Sequence, residues 1–258
     1  TSNGAFCYNY LPMGIKISPQ IAQHAIDTVM RTKYDGPGKH HGKIALGNFV
    51  FPYMDDLICF NNEEEDPHHA DYLVWIWQQL HKANIQARID KCMIGLRRIS
   101  FLGHFIDQDG LHIDPAKVEA VRHMPPPSGR DWKTKLRSIL GAANYLRKFI
   151  VDFTRIVAPL TELLAKNATF EWGPRQQQSF KELVHALSTA PVLALPDWNK
   201  PFIVRTDASG YGIGATLVQE QDGQRRPICF ISRKLRPAEC NYDTRDQECL
   251  TMVYACRK

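Results

Sequence analysis

The feature that most constrains this chain is a pair of adjacent aspartates, Asp55 and Asp56, set between two short apolar runs. Each run has the length and composition of a buried strand, so the pair is predicted to lie in the turn of a β-hairpin. Neighbouring carboxylates repel each other unless a cation neutralises them, and Mg²⁺ prefers carboxylate oxygens together with substrate phosphates. The pattern predicts a divalent-metal site or, more simply, a solvated acidic turn that closes a hairpin.

Composition limits the class of protein. The 258 residues suggest about two domains, and 44% hydrophobic with 23% charged residues is typical of a globular chain in water. A net charge of +5 permits nucleic-acid binding without requiring it. No run approaches the roughly 20 apolar residues of a membrane span, so no membrane partner is expected. The seven cysteines include no Cys-x-x-Cys pair and are expected to be reduced, in the cytosol or nucleus.

Upstream of the acidic pair, Leu11-Pro12-Met13-Gly14 precedes a helix predicted from about Gln20 to Arg31. Gly14 allows close approach of the backbone to a ligand, although a plain junction between loop and helix explains the pattern equally well. Residues 33–43 are rich in Gly, Lys and His and are interpreted as an inserted loop.

Downstream, the pattern predicts a helix over about 67–83, an alternating strand over 85–92 and a hairpin through residues 99–106. Asp114 is expected to cap a short helix that begins with Pro115. The run of three prolines at 125–127 marks a joint between domains.

A basic helix is predicted over about 131–144. Lys133, Lys135 and Arg137 stand there with several other cations and only one acid, Asp131. Such a helix face binds phosphates without reading sequence, or is simply solvated. Further helical regions follow at 149–166 and 174–189, and an extended linker at 190–197.

The last segment changes to the period of strands. Three strands are predicted near 201–207, 210–218 and 227–233, and then a helix opening at Thr244 with capping-box spacing. Its expected buried side chains are Cys249, Leu250, Met252 and Val253. Asp207 ends the first strand and Glu248 lies in the first turn of the helix, where it is either a metal ligand or a partner of the helix dipole.

The motifs, in this order and spacing, resemble the Pol polyprotein of gypsy-type LTR retrotransposons from about Leu11 to Lys258. The landmarks are Leu11-Pro12-Met13-Gly14, Tyr53-Met54-Asp55-Asp56, Phe101-Leu102-Gly103-His104, Leu140-Gly141-Ala142-Ala143-Asn144-Tyr145, Ala190-Pro191-Val192-Leu193 and Thr206-Asp207-Ala208-Ser209. The resemblance implies an α+β chain in which a reverse-transcriptase palm and thumb precede a truncated RNase H-like α/β domain. The implied divisions are palm over 1–124, helical thumb and connection over 125–199, and the N-terminal half of RNase H over 200–258.

The resemblance also implies RNA-directed DNA polymerase and RNase H activities. The implied catalytic and metal-binding residues are Asp55, Asp56, Asp207 and Glu248, which would hold Mg²⁺ or Mn²⁺. Those implied to contact nucleotide or template are Met13, Gly14, Tyr53, Met54 and Lys91. Those implied to contact nucleic acid are Gly103, His104, Lys133, Lys135 and Arg137. The expected partners are an RNA template, a DNA primer, an RNA–DNA hybrid and dNTPs, in a cytoplasmic virus-like particle or in the nucleus; the oligomeric state is left open.

Three departures from the family pattern qualify these expectations. The ten residues before Leu11 contain no Asp or Glu, whereas the family places a third polymerase carboxylate on an upstream strand. Later RNase H carboxylates are also absent, and Met13 stands where retroviral enzymes carry Gln. We therefore expect an incomplete chain that is inactive alone. The alternatives are a catalytically dead remnant that at most binds nucleic acid and a stand-alone nuclease, which the missing carboxylates disfavour.

Overall fold

The computed structural model describes residues 11–12, 14–62, 66–166 and 168–258. The chain divides into two compact units, Thr1–Ile94 and Gly95–Lys258, and each is described by itself. The domain boundaries expected after residues 124 and 199 both lie inside the second unit and stay predictions.

The first unit contains two helices and one hairpin among its described residues. Its elements are α1 (Ser18–Met30), β1 (Val50–Tyr53), β2 (Asp56–Cys59), α2 (His69–Lys82) and a 3₁₀ turn at Ile89–Lys91. The two strands pair in antiparallel fashion, which confirms the predicted hairpin. The acidic pair is not the whole turn, however, because the loop is Met54 and Asp55, and Asp56 lies opposite Tyr53 as the first residue of β2. Val50 and Pro52 turn towards the core of this unit, and Phe51 and Tyr53 turn to solvent.

Aromatic side chains fill this first core. The ring of Phe49 stacks on Tyr72 with centroids 4.4 Å apart, and Tyr34 meets both rings edge-on. Tyr34 belongs to the segment interpreted as an inserted loop, so that loop is packed into the unit. Buried Asp66 accepts hydrogen bonds from the Tyr72 hydroxyl and the His68 amide. Burial acts to raise the pKa of Asp66, but these hydrogen bonds lower it on balance.

The prediction of a strand over residues 85–92 is wrong. Those residues form irregular chain and the short 3₁₀ turn, and no strand pairs with them in the part of the chain that the structure describes. Ile89 is 69% exposed, so the alternating pattern buries no face. A local ion pair of 2.6 Å between Arg88 and Asp90 accompanies the turn. A strand needs a neighbour to satisfy its backbone groups, and this segment has none here.

The second unit contains two three-stranded antiparallel sheets and five helices among the described residues. The elements are β3 (Ile99–Phe101), β4 (His104–Asp107), β5 (Gly110–Ile113), α3 (Pro115–Arg122), α4 (Trp132–Tyr145), α5 (Phe153–Glu162), α6 (Pro174–Ser188), β6 (Phe202–Ser209), β7 (Gly212–Gln221), β8 (Gln224–Lys234) and α7 (Thr244–Cys256), with 3₁₀ turns at Arg147–Phe149 and Glu239–Asn241. In each sheet the strands are in sequence order, so β6 is an edge.

Helices α3 to α6 share the main core of the second unit. Leu136, Leu160 and Leu183 are fully buried there. Asp114 caps α3 as expected and accepts from the Ala116 amide. Apolar burial of this kind is the principal source of stability for such helices.

The extended segment before β6 joins the two sheets of the second unit. Leu193 exchanges two backbone hydrogen bonds with Leu111, of 2.7 and 3.0 Å, and the amide of Ala194 donates to the carbonyl of Pro227. Gly110 is required at this contact, because a Cβ there would come within 2.2 Å of the Leu193 carbonyl oxygen and its φ is +132°.

Helix α7 differs from the expectation at both its cap and its buried face. Asp243, rather than Thr244, is the N-cap and accepts from the Asp246 amide at 2.9 Å. The residues expected to be buried are not: Cys249, Met252 and Val253 are exposed and Leu250 is half-buried. Gln247 and Thr251 are buried instead, because the Gln247 amide donates to two backbone carbonyls of the preceding loop.

No helix in the described ranges has the length and apolar character needed to cross a membrane.

Candidate functional site

The tip of the first hairpin is a two-residue loop, Met54 and Asp55. Met54 has φ +50°, a left-handed conformation that costs a residue with a side chain about 1 kcal/mol. Gln23 on α1 makes two hydrogen bonds to the backbone on the N-terminal side of this turn. Its Oε1 accepts a hydrogen bond of 2.6 Å from the Met54 amide, and its Nε2 donates a hydrogen bond of 3.2 Å to the Pro52 carbonyl. These two hydrogen bonds stabilise the turn that carries the acidic pair.

Both carboxylates of the pair are exposed. Neither Asp55 nor Asp56 makes an ion pair or side-chain hydrogen bond with any residue that the structure describes. Asp56 lies opposite Tyr53 on the solvent face of the hairpin, and Tyr53 and Met54 are also exposed. The hairpin therefore presents two uncompensated acids beside an aromatic ring and a thioether.

The Leu-Pro segment is tied to α1, the helix that carries Gln23. The Ser18 hydroxyl donates to the Pro12 carbonyl at 2.7 Å. Gly14 is exposed with φ +84°, and no heavy atom lies within 4 Å of the position of a Cβ there, so its surface is open to a ligand. Lys91 is exposed in the 3₁₀ turn, and Met13 lies outside the described residues.

The second hairpin also turns through two residues, Leu102 and Gly103, with φ of +48° and +65°. Positive φ at both loop residues is the pattern of a type I′ turn. The Tyr145 hydroxyl of α4 donates to the Leu102 carbonyl. The flexible Lys117 side chain lies where a Cβ of residue 103 would be, and the φ of +65° favours glycine at this position.

His104, predicted to contact nucleic acid, is only 5% exposed. Its ring is parallel to that of Tyr145, with centroids 5.0 Å apart. Burial, followed by the charges of Lys148 and Lys117, lowers the pKa of His104 to about 4, so the imidazole is neutral. The structure supports a packing role for this side chain, and its nucleic-acid contact stays a prediction.

The predicted basic face of α4 is partly neutralised. Lys135 pairs with Asp131 at 3.1 Å and donates to the Ser128 carbonyl, and this contact lowers the pKa of Asp131. Lys133 is half-buried, with its ammonium 5.3 Å from the ring of Trp132. Arg137 is exposed, and no partner for it is found within the described ranges. Arg137 is therefore the most available of the three cations.

The other predicted carboxylate pair lies on separate elements of the second unit. Asp207 is on edge strand β6, opposite Gly214, and is exposed. Glu248 is exposed on α7, as the fifth residue of the helix, and therefore lies beyond the first turn, where the sequence had placed it. Across the part of the chain that the structure describes, no group of three or more His, Cys, Asp or Glu side chains could hold a metal ion.

A cleft of about 340 Å³ adjoins Asp207. Asp152 and Arg155 from the start of α5 line one wall, and Lys234 lines another. Hydrogen bonds fix α5 there, because the Thr154 amide donates to the Ser232 hydroxyl at 3.1 Å. The cleft thus gathers three acids, Asp152, Glu162 and Asp207, and two cations at one end of the sheet.

Sequence reasoning missed Gln23, Tyr145 and Asp152. Gln23 contacts the hairpin from 29 to 31 residues away along the chain, and Tyr145 bonds a carbonyl 43 residues away. Nothing local marks such a contact. Asp152 has φ +52°, and the only signal was that Asp tolerates this conformation better than most residues.

Two family models match this chain. Residues 1–106 match the reverse transcriptase (RNA-dependent DNA polymerase) model, and residues 172–258 match the RNase H-like domain found in reverse transcriptase. The chain therefore carries the two domains that define enzymes of the reverse transcriptase and RNase H class.

Similarity to curated proteins makes this assignment more specific. The two matched domains are the reverse-transcriptase and RNase H-like domains of retrotransposon Pol polyproteins. The chain is 35% identical over 266 residues to the retrovirus-related Pol polyprotein from transposon opus of Drosophila melanogaster, with 99% of the chain covered. It is 34% identical, over its full length, to the corresponding polyprotein from transposon gypsy of the same organism. The chain spans about a quarter of the length of these relatives, 25% and 24%.

Solved structures support the fold. The foamy viral protease-reverse transcriptase dRH in complex with double-stranded DNA matches with a TM-score of 0.78 and 22% identity, over 95% of this chain and 40% of that one. The foamy viral protease-reverse transcriptase in complex with RNA/DNA hybrid matches with a TM-score of 0.76. The mixed fold of helices and sheets is thus that of a reverse transcriptase.

Proposed function

We propose that this chain contributes to RNA-templated DNA synthesis, and that the hairpin of Asp55 and Asp56 is its metal-binding site. One observation carries the proposal: two adjacent, exposed and uncompensated carboxylates stand on a turn that Gln23 clamps. Gln23 bonds the Met54 amide through its oxygen and the neighbouring Pro52 carbonyl through its NH₂ group, so the turn is held against α1. A turn held in this way keeps both carboxylates in a fixed position, as a bound cation requires.

The donor chemistry fits Mg²⁺ or Mn²⁺, because hard cations bind through one or two carboxylates completed by water and substrate phosphates. When bound, such an ion neutralises the triphosphate of a dNTP and activates the attacking hydroxyl. The chain's own contribution is to aim Asp55 and Asp56 and to present Tyr53 and Met54 beside them. Gly14, Met13 and Lys91 complete the proposed nucleotide and template contacts.

The nucleic-acid partners proposed are an RNA template, a DNA primer and an RNA–DNA hybrid. The foamy viral relatives in complex with duplex DNA and with hybrid support this class of partner. Arg137, Lys133 and Lys135 on α4 would contact phosphates, together with the backbone of Gly103. We place the protein in a cytoplasmic virus-like particle or in the nucleus.

Asp207 and Glu248 are proposed as the carboxylates of a hybrid-cleaving nuclease site. Two carboxylates hold divalent ions weakly, since catalysis depends on the positions of both metals. The described residues supply no third ligand, so we expect no cleavage of RNA–DNA hybrid by this chain alone.

Binding of Mn²⁺ tests the polymerase site directly. We expect Asp55→Asn and Asp56→Asn each to raise the Kd for Mn²⁺ at least tenfold, measured by electron paramagnetic resonance of the free ion. Asp90→Asn is the matched control, because Asp90 is an exposed acid of the same unit and should bind no metal. Equal Mn²⁺ affinity in the wild type and both hairpin variants would refute the assignment.

Salt-dependent binding of duplex tests the α4 surface. The triple change of Lys133, Lys135 and Arg137 to Glu should remove most affinity for a primer–template duplex and flatten the dependence on salt. The control changes three exposed cations on α5 and α6, Arg155, Arg175 and Lys181, to Glu. If both triple variants lose the same affinity for duplex, binding depends only on net charge, and the assignment of the binding surface to α4 is wrong.

The second candidate function is nucleic-acid binding without catalysis. The lack of a three-carboxylate group in the described ranges favours it. Duplex binding with no Mn²⁺ site at the hairpin would establish this alternative. Primer extension on an RNA template by the purified chain, abolished in Asp55→Asn, would exclude it.

A further inference from the structure

Asp27 lies one helical turn after Gln23 on α1 and accepts a hydrogen bond from it. Gln23 Nε2 and Asp27 Oδ1 are 2.8 Å apart, and both side chains are half-buried. Residues four apart on a helix share a face, so the contact follows from α1 itself. Asp27 thus bonds Gln23, and within the described ranges its side chain makes no hydrogen bond or ion pair with the acidic hairpin.

Both protons and the oxygen of the Gln23 side-chain amide take part in hydrogen bonds. The NH₂ group has two protons, and its two acceptors are Asp27 Oδ1 and the Pro52 carbonyl. The amide oxygen accepts the Met54 N–H. One amide therefore links α1 to the end of β1 and to the first residue of the loop.

Asp27 and the Met54 amide together fix which way the Gln23 amide points. A flip of the amide by 180° would place its NH₂ against the Met54 N–H and its oxygen against the Asp27 carboxylate. An ionised carboxylate only accepts hydrogen bonds, so it cannot donate to a flipped oxygen. Without Asp27, the Pro52 carbonyl at 3.2 Å is the remaining acceptor for the NH₂ group, and the amide loses its stronger restraint.

We propose that Asp27 is a positioning residue for the metal-binding turn. It fixes the amide of Gln23, the amide holds Met54 at φ +50°, and Met54 sets the direction in which Asp55 and Asp56 project. The inference rests on the proposed function of the hairpin, and it assigns to Asp27 no contact with metal or substrate.

Two variants separate the geometry from the charge. Asp27→Asn removes the negative charge but keeps an acceptor oxygen for Gln23, whereas Asp27→Ala removes both. Alanine is a strong helix former, so α1 should be kept in the second variant. Thr28→Ala is the control, because Thr28 is the next residue on α1, is exposed, and bonds only the His24 carbonyl one turn before it.

The readouts are the exchange rate of the Met54 amide proton and the Kd for Mn²⁺. We expect Asp27→Ala to speed Met54 exchange about tenfold and to weaken Mn²⁺ binding three- to tenfold. Asp27→Asn should stay within twofold of the wild type in both, and so should Thr28→Ala. The side-chain NH₂ resonances of Gln23 should shift in the alanine variant alone.

Failure of the positioning role and failure of the proposed function give different results. Unchanged Met54 exchange in Asp27→Ala would overturn the positioning role, as would equal loss of Mn²⁺ affinity in the Ala and Asn variants. If the wild type binds no Mn²⁺ at the hairpin, the proposed function fails, and the positioning of the metal-binding turn falls with it. The Met54 exchange rate then reports only whether the hydrogen bond between Gln23 and the Met54 amide depends on Asp27.

Discussion

The hairpins of residues 50–59 and 99–107 have similar backbones and opposite surroundings. Each turns through two residues, the first with positive φ, and in each a helical side chain bonds the loop backbone. The first residue after the loop is Asp56 in one hairpin and His104 in the other. Asp56 is exposed and uncompensated among the described residues, whereas His104 is buried against an aromatic ring.

The difference shows that the turn conformation alone does not determine what the residue after the loop does. One hairpin holds charged groups in solvent, where they are available for a cation, and the other uses the same position for packing. The helix side chain has a matching role in each case, because it bonds a non-glycine tip residue of positive φ, Met54 in the first hairpin and Leu102 in the second. We therefore expect substitutions in the second hairpin to affect stability and those in the first to affect binding.

The largest effect on stability is expected from His104→Ala. Removing a buried ring leaves a cavity and should lower the free energy of unfolding by about 2 to 4 kcal/mol. Urea denaturation of the second unit, followed by circular dichroism, measures it. Ser100→Ala on β3 is the control, because Ser100 is exposed and should change little. A loss below about 1 kcal/mol would mean that His104 is not a packing residue.

A smaller effect should appear on acidification. The pKa of His104 is lowered to about 4 from a usual 6.5, mainly by burial. Between these values the unfolded chain binds a proton and the folded chain does not, so stability falls as pH drops from about 6.5 to 4. After allowance for screening by solvent, we expect a loss of about 1.5 kcal/mol between pH 7 and 5.

The variant His104→Phe keeps a ring and removes the titrating group. Its unfolding free energy should therefore depend less on pH over the same window, measured by urea denaturation at each pH. An unchanged pH dependence would show that groups other than His104 cause the loss of stability in acid. The two hairpins would then not differ in how charge affects their stability.

Next in size is Tyr145→Phe, which leaves the Leu102 carbonyl without its hydroxyl donor. The expected loss is about 1 kcal/mol, the usual net worth of one hydrogen bond. Tyr211→Phe is the matched control, since Tyr211 is 65% exposed at the turn between β6 and β7. Thermal unfolding of both variants decides whether the clamp on the second hairpin contributes to stability.

The smallest effect on stability is expected from Asp55→Asn and Asp56→Asn. Exposed substitutions usually change the free energy of unfolding by less than about 0.5 kcal/mol, and removing one of two repelling charges opposes any loss. These same variants should have the large effect on Mn²⁺ binding. Destabilisation above 1 kcal/mol would place the pair in a structural role and remove the contrast between the hairpins.

Local patterns in the sequence were sufficient for much of the fold. The acidic hairpin, the helices near Gln20, Pro115 and Trp132, and the three strands after Phe202 all follow from side-chain periodicity and from turn or capping residues close by. Such features depend on neighbours within a few positions, where the sequence states the interaction directly. The motif Tyr53-Met54-Asp55-Asp56 identified the family for the same reason.

Contacts between distant segments were decided only by the tertiary structure. The alternating segment 85–92 has no partner strand among the described residues, and α7 buries Gln247 and Thr251 rather than its apolar residues. The clamp of Gln23 and Asp27 on the turn of Met54 joins segments about 30 residues apart. Which face is buried, and which amide meets which carbonyl, depends on packing partners that local periodicity does not specify.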